Sequence, residues 1–320
     1  IPINSDNYIG VLEKMVYFQE EPISAPVCVP IYYLSEAAKN EGVPVILAGE
    51  GADEILVGYE NWIRIRKLQK VLDIWPCAWA GRAGKLKYLR SRFPITNPIR
   101  DLLLRAGDNK PLFWGGAMEM SADLRAELLG RDVEELHQEL FQGTVESHYK
   151  DFLSKREKSD VSNWMTYMDL KQRLPELMLP RLDRMGMAHS IEGRVPYLDH
   201  RLVELIFSTP ESVLAAGNIG KSSLKNIAAP ELGNDFVFRR KKGFQAPVSD
   251  WKNEGFSKYI ECLKLFAERT GLFSKEGIEL ILDDRGRRYF TMINFMLWYL
   301  IFIENVLEDV IPDLVRWDQY

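Results

Sequence analysis

Hydrophobic positions along the chain recur mostly at helical spacing, and one short stretch breaks that rhythm decisively. Residues 27–40 have helical character and end at Glu41-Gly42. Val43-Pro44-Val45-Ile46-Leu47-Ala48 then runs apolar and β-branched as far as Gly49, which predicts a fully buried strand of the parallel kind. Pro44 is tolerable at its start, because a first strand residue need not donate to the ladder. Gly49-Glu50-Gly51-Ala52-Asp53-Glu54 follows, and then an amphipathic helix through Trp62 and the basic segment 64–70. The predicted unit is strand, glycine turn, helix. Pro76, Gly81, Gly84, Pro94 and Pro98 loosen the pattern, so residues 75–127 are expected to contain a linker or an insertion of short helices. Helical periodicity returns over 118–158, and a compact block runs from 163 to 210. A glycine- and lysine-rich segment, 217–247, precedes two or three closing helices. Strand signals are few, so the chain is expected to be mostly helical.

Composition adds limits. Of 320 residues, 46% are hydrophobic and 27% charged, enough for a real core in one large domain or two smaller ones. A formal net charge of −5 gives no basic excess to attract nucleic acid or an anionic membrane. Cys28, Cys77 and Cys262 stand far apart, without zinc-ligand spacing, and are expected to be buried free thiols in a reducing, cytoplasmic setting. The sequence starts at Ile1-Pro2-Ile3-Asn4, which is not a signal peptide and is expected to be a fragment boundary. The apolar stretch 289–303 is interrupted by Thr291 and Asn294 and closed by Glu304. It falls short of the roughly 20 apolar residues that span a bilayer, and a buried helix is expected instead.

Three clusters carry candidate chemistry. The first is Ala48-Gly49-Glu50-Gly51-Ala52-Asp53-Glu54, where glycines leaving a strand let backbone amides approach a phosphate. Three carboxylates facing phosphate directly would repel it, so one is expected to act through Mg²⁺ and another to accept a proton. Taken alone, the cluster reads first as a strand-to-helix turn whose Asp53 and Glu54 complement the helix dipole. The second cluster, 181–199, alternates charges with small and apolar residues. It is expected to be an architectural network in which Asp183, Arg184, Glu192 and Arg194 pair while buried and His189 packs in the core. The third is Phe238-Arg239-Arg240-Lys241-Lys242-Gly243-Phe244, either a solvated face or a phosphate clamp, with Lys221-Ser222-Ser223-Leu224-Lys225 adding positive charge upstream.

In this order, the clusters resemble the synthetase domain of glutamine-hydrolysing asparagine synthetases. The resemblance starts near Glu20-Glu21-Pro22-Ile23-Ser24, takes in residues 49–54, Asp183-Arg184-Met185 and residues 192–200, continues through Lys241-Lys242-Gly243-Phe244, and closes at Met296-Leu297-Trp298. It covers nearly all of the chain outside residues 75–127. It implies an α/β domain of the adenine-nucleotide α-hydrolase-like, ATP-pyrophosphatase type, mostly helical here because its first strands are absent. It also implies adenylation of the aspartate side-chain carboxylate by ATP, then displacement of AMP by ammonia from glutamine. Carried over by motif, Ala48, Gly49 and Gly51 contact the nucleotide. Glu50 helps to form or aminate the acyl adenylate, Asp53 meets Mg²⁺ and pyrophosphate, and Lys241 stabilises the adenylation transition state.

The sequence departs from the family at several points. Ala48 stands where the family usually has Ser, and Val57-Gly58-Tyr59 stands where it commonly has Gly-Gly-Tyr. The pyrophosphate loop Ser-Gly-Gly-x-Asp-Ser and the amino-terminal glutaminase with its catalytic Cys are expected upstream of Ile1. Residues 1–320 are therefore expected to be a partial synthetase domain, inactive by itself and able to form a homodimer. A ligase acting on another carboxylate, by ring closure or sugar-acid amidation, and a non-catalytic relic are the alternatives.

Overall fold

The computed structural model describes residues 3–22, 25–74, 86, 88–118, 120–155, 161–214, 216, 219–240, 254–284 and 287–303. Helices dominate these residues. The strands among them are two, β1 (Val45–Leu47) and β2 (Glu192–Arg194), which pair in parallel with Val45 opposite Glu192 and Leu47 opposite Arg194. The Glu192 N–H donates to the Pro44 carbonyl (3.0 Å) and the Ala48 N–H to the Arg194 carbonyl (2.8 Å), extending the ladder at both ends. Pro44 enters the ladder as an acceptor only, the one role open to it. The expected full burial of the strand does not hold. Ile46 is half-buried and Leu47 is 75% exposed, because successive side chains point to opposite faces and that of Leu47 is open.

Two cores flank this small sheet. The first gathers the helices Leu12–Gln19, Cys28–Asn40, Glu254–Thr270, Lys275–Asp284 and Arg287–Phe302, together with Leu182 and Met185. The stretch 289–303 falls largely in the last of these helices, where Phe290, Ile293, Met296, Leu297 and Leu300 are fully buried, as a core helix requires. No helix among the described residues is long and apolar enough to cross a membrane. The second core is aromatic and holds Ile55, Val57, Trp62, Phe113, Trp114, Trp164, Met165 and Met168. Ala48 and Val195 pack against the first core, whereas Ile55 and Leu198 belong with the second. Both segments that follow the strands therefore cross from one core to the other, and the glycine turn is held at the crossing.

The helix expected to run from the turn through Trp62 is instead two helices, Ala52–Ile55 and Glu60–Ile74. Val57 between them has φ 52°, a left-handed conformation that is costly for a β-branched residue. A four-residue helix has little macrodipole, so the expected dipole contribution at the turn is lost. Further along, Asp169–Met178 is wound as a π-helix. Pro175 lies inside it and has no N–H to give, and the wider winding changes which carbonyls face the ring. This segment supplies Asp169 and Arg173 to the neighbourhood of the turn. Cys28 is fully buried, which pushes its thiol up to about 11, and neither Cys28 nor Cys262 forms a disulfide.

Candidate active site

The ladder ends at Ala48, and the chain reverses through Gly49, Glu50 and Gly51 before the helix Ala52–Ile55. Gly51 has φ 89°, and a Cβ built there would meet Leu198 Cδ2 at 2.3 Å. Only glycine satisfies both the backbone angle and the close approach of the Pro196–Leu198 turn. Ala48 and Glu50 are half-buried and Gly49 is exposed, but Gly51 is buried, so of the residues predicted to contact the nucleotide Ala48 and Gly49 are accessible and Gly51 is not.

Each carboxylate of the turn has its own cation from a distant segment. Glu50 Oε1 is 3.2 Å from Arg181 Nη2, and Arg181 lies on the helix Leu179–Met187. Asp53 Oδ1 is 3.0 Å from Lys221 Nζ, just before the helix Ser222–Leu232. Glu54 Oε1 is 3.5 Å from Arg173 Nη1 and accepts a hydrogen bond from the Tyr59 hydroxyl. The three carboxylates differ sharply in exposure: Glu54 is 1% exposed at its side chain, Asp53 23% and Glu50 21%. Glu54 is thus a structural anchor, and the two that retain solvent access are the two the sequence nominated for chemistry.

The anchor is part of a buried network. Arg173 also lies 3.5 Å from Asp169 Oδ2, and its guanidinium stacks 4.7 Å from the centre of the Tyr59 ring. Asp169 Oδ1 accepts the Gly116 N–H at 2.7 Å, and Thr166 Oγ1 donates to the Glu54 carbonyl at 2.9 Å. Burial pushes the Asp169 carboxyl up to about 6, outweighing the pull of Arg173 in the other direction. Burial, and then the Glu54 charge, likewise raise the Tyr59 hydroxyl.

The architectural network expected in residues 181–199 is mostly not buried. Asp183, Glu192 and Arg194 are exposed, and Glu192 and Arg194 pair only with each other (2.9 Å) on the edge strand, where water solvates both. Arg184 is half-buried and donates to the Gln19 carbonyl and, at 3.3 Å, to Glu21. Arg181 leaves that network for Glu50. His189 does pack in the core, with its ring 4.3 Å from that of Tyr32 and its protonation disfavoured by burial. Lys241 lies outside the described residues. Arg239, two positions earlier, stacks on Phe236 at 4.1 Å.

Sequence reasoning did not assign Lys221 to the site. Its signal was present in the run Lys221-Ser222-Ser223, but the partner stands far away along the chain. A second device is Gly58, where a Cβ would meet Asp53 Oδ1 at 1.9 Å and Lys221 Cε at 2.6 Å, so a side chain there would invade the ion pair. Among the described residues no group of three His, Cys, Asp or Glu could hold a metal ion. One accessible carboxylate, Asp53, fits Mg²⁺ that arrives on phosphates, because Mg²⁺ keeps most of its shell from water and substrate.

The fold and the turn define a parallel strand–turn–helix unit inside a helical body, with an acidic turn held by cations from two other segments, the helical run 169–187 and Lys221. The asparagine synthase family model matches residues 1–300, and the chain belongs to that family. It is 25% identical over 313 residues to asparagine synthetase [glutamine-hydrolyzing] 1 of Bacillus subtilis, covering 95% of this chain and 47% of that protein. It is 26% identical over 325 residues to a putative asparagine synthetase [glutamine-hydrolyzing] of Mycobacterium tuberculosis, covering 98% and 47%. Over 314 residues it is 22% identical to amidase chry2 of Gibberella zeae, covering 88% and 44%. The chain spans about half the length of the curated relatives it matches.

Proposed function

We propose that this chain is the synthetase half of an ATP-dependent amide ligase that converts aspartate to asparagine with ammonia released from glutamine elsewhere in the protein. The observation that carries this reading is the Asp53–Lys221 pair at 3.0 Å, on the same accessible turn as Glu50. Adenylation breaks the bond between the α-phosphorus of ATP and pyrophosphate as a side-chain carboxylate oxygen of aspartate attacks. Negative charge grows on the leaving pyrophosphate, and Lys221, with Lys241 by motif, lies within the segments that would neutralise it. Asp53 would hold Mg²⁺ brought by the nucleotide, which supplies further charge neutralisation. Ammonia then adds to the acyl carbon, AMP leaves, and Glu50 takes the proton that the nitrogen sheds, with Arg181 fixing the direction of its carboxylate. Ala48 and Gly49 line the approach, where the absence of a side chain on Gly49 lets phosphate oxygens come near the backbone, and Gly51 holds the turn against Leu198.

The experiment is pyrophosphate release by the natural-length protein supplied with ATP, Mg²⁺, ammonia and aspartate. Release should require aspartate and match asparagine formed, and Glu50→Gln should abolish asparagine formation with the fold retained. Release that ignores aspartate but follows another carboxylic acid would shift the assignment to a related ligase. No carboxylate-dependent release at all would remove the ligase reading.

A further inference from the structure

A cavity of about 330 Å³ opens behind the buried network, between residues 114–120, the helix Ala122–Leu129 and the π-helix Asp169–Met178. Its wall is largely apolar, with Trp114, Met118, Met120 and Leu140, yet Arg125 and Arg173 line it too. Arg125 Nη2 and Arg173 Nε are both buried and have no hydrogen-bond partner. Arg173 at least spends Nη1 on Glu54 and Asp169. Among the described residues Arg125 makes no ion pair: the nearby Asp101 accepts the Ala122 N–H (2.8 Å) and sits 3.5 Å from Arg105. No Asp or Glu among the described residues lines the cavity. Both arginines stand in the wall of an otherwise apolar cleft, where a cation favours an anionic partner over a neutral one. Arg125 and neighbouring cations also act on His137. His137, stacked on Trp114 at 4.3 Å, is pushed down to about 3 by burial and then by Lys110, Arg105, Arg125 and Arg90.

We propose that this cavity binds a small carboxylic acid with an apolar body, its carboxylate held between Arg125 and Arg173 and its body against Trp114, Met118, Met120 and Leu140. Guanidinium groups suit a planar carboxylate, which can accept two parallel N–H bonds. The apolar wall excludes a ligand that is all charge, such as free phosphate, since it would desolvate that ion with nothing apolar gained. The site does not rest on the ligase reading, because neither Glu50 nor Asp53 lines it.

Titration calorimetry on the natural-length protein tests this with benzoate, its neutral analogue benzamide and inorganic phosphate. Benzoate should bind at least about tenfold more tightly than benzamide, and phosphate should not bind at this site, as expected when a charge-assisted pair is the anchor. Arg125→Met should weaken benzoate by about tenfold or more on the same grounds, with circular dichroism showing the fold intact. Leu140→Trp, which fills the cavity and leaves both cations, should also abolish binding, and it carries the test if Arg125→Met does not fold. Equal binding of benzoate and benzamide, preference for phosphate, no benzoate binding, or undiminished binding in Leu140→Trp would each overturn the proposal.

Discussion

Lys221 and Asp53 meet at 3.0 Å because the backbone around each is forced to meet first. The Lys221 N–H donates to the Leu56 carbonyl (3.0 Å), and Gly220 packs so closely on the Val57 carbonyl that a Cβ there would stand 2.8 Å from it. Both Val57 and Lys221 carry positive φ, 52° and 57°. Two non-glycine residues in that region at one contact store backbone strain of order 1–3 kcal/mol each. Such strain persists where surrounding contacts over-determine the geometry, and here it aims an ammonium at the carboxylate of an accessible turn.

Replacing that ammonium separates chemistry from stability. The pair is about a quarter exposed on both sides, so Lys221→Ala should cost less than about 1 kcal/mol in urea denaturation. If Lys221 faces the leaving pyrophosphate, the same variant should lose on the order of a hundredfold or more in pyrophosphate release. Near-normal turnover would return Lys221 to a purely structural role.

Gly58→Ala tests the pair from the other side. The new methyl would displace Asp53 Oδ1 and Lys221 Cε, so turnover should fall although no charge is removed. Combining it with Asp53→Asn should add little to the loss from either change alone, since both act on one interaction. Full additivity of the two effects would mean that Gly58 matters for some other reason.

The buried network predicts a large stability change away from the chemistry. Arg173→Met leaves Glu54 and Asp169 without their shared cation at side-chain exposures of 1% and 0%. Removing one partner of a buried pair typically costs about 3–5 kcal/mol, and the urea midpoint should drop accordingly. Retention of the wild-type midpoint would show that these carboxylates find another partner.

Asp169 also sets a pH dependence whose sign is fixed by its raised pKa. Folding lifts its carboxyl from 3.8 to about 6, so between these values the native state holds a proton that the unfolded chain has released. Its contribution is fully present below 3.8 and is lost as pH rises through about 6. His137 acts oppositely: burial lowers it from 6.5 to about 3, and its contribution is lost as pH falls through that window. Urea midpoints measured from pH 4 to 7 should therefore rise more steeply with pH in Asp169→Asn than in the wild type, because His137 is common to both. Parallel curves would place Asp169 near its ordinary pKa.

Local pattern alone was enough to find the strand and the turn. An apolar, β-branched run closed by glycine leaves few alternatives to a strand, and Gly49-Glu50-Gly51 after it could only be a tight exit. Local pattern by itself read Asp53 and Glu54 as helix-start carboxylates, and the roles of Glu50 and Asp53 came only with the family resemblance. Burial of the last helix followed from an apolar stretch too short and too interrupted to span a bilayer. The break at Val57 was not legible, because a β-branched residue gives no local cue for positive φ; the contact with Gly220 and Lys221 imposes it.

What the sequence by itself determined is this set of short-range facts, since strand and turn preferences depend on residues within a few positions of one another. Which cation serves which carboxylate was decided only by the tertiary structure. Arg181 and Arg173 reach Glu50 and Glu54 from one continuous helical run and Lys221 reaches Asp53 from a separate segment, brought there by two cores that clamp the turn between them. Charge alternation in residues 181–199 suggested buried pairs among neighbours, but β2 lies in a sheet of two strands and leaves Glu192 and Arg194 in water. Ion pairing depends on distance in space and on desolvation, and neither quantity is carried by the order of residues until the chain has packed.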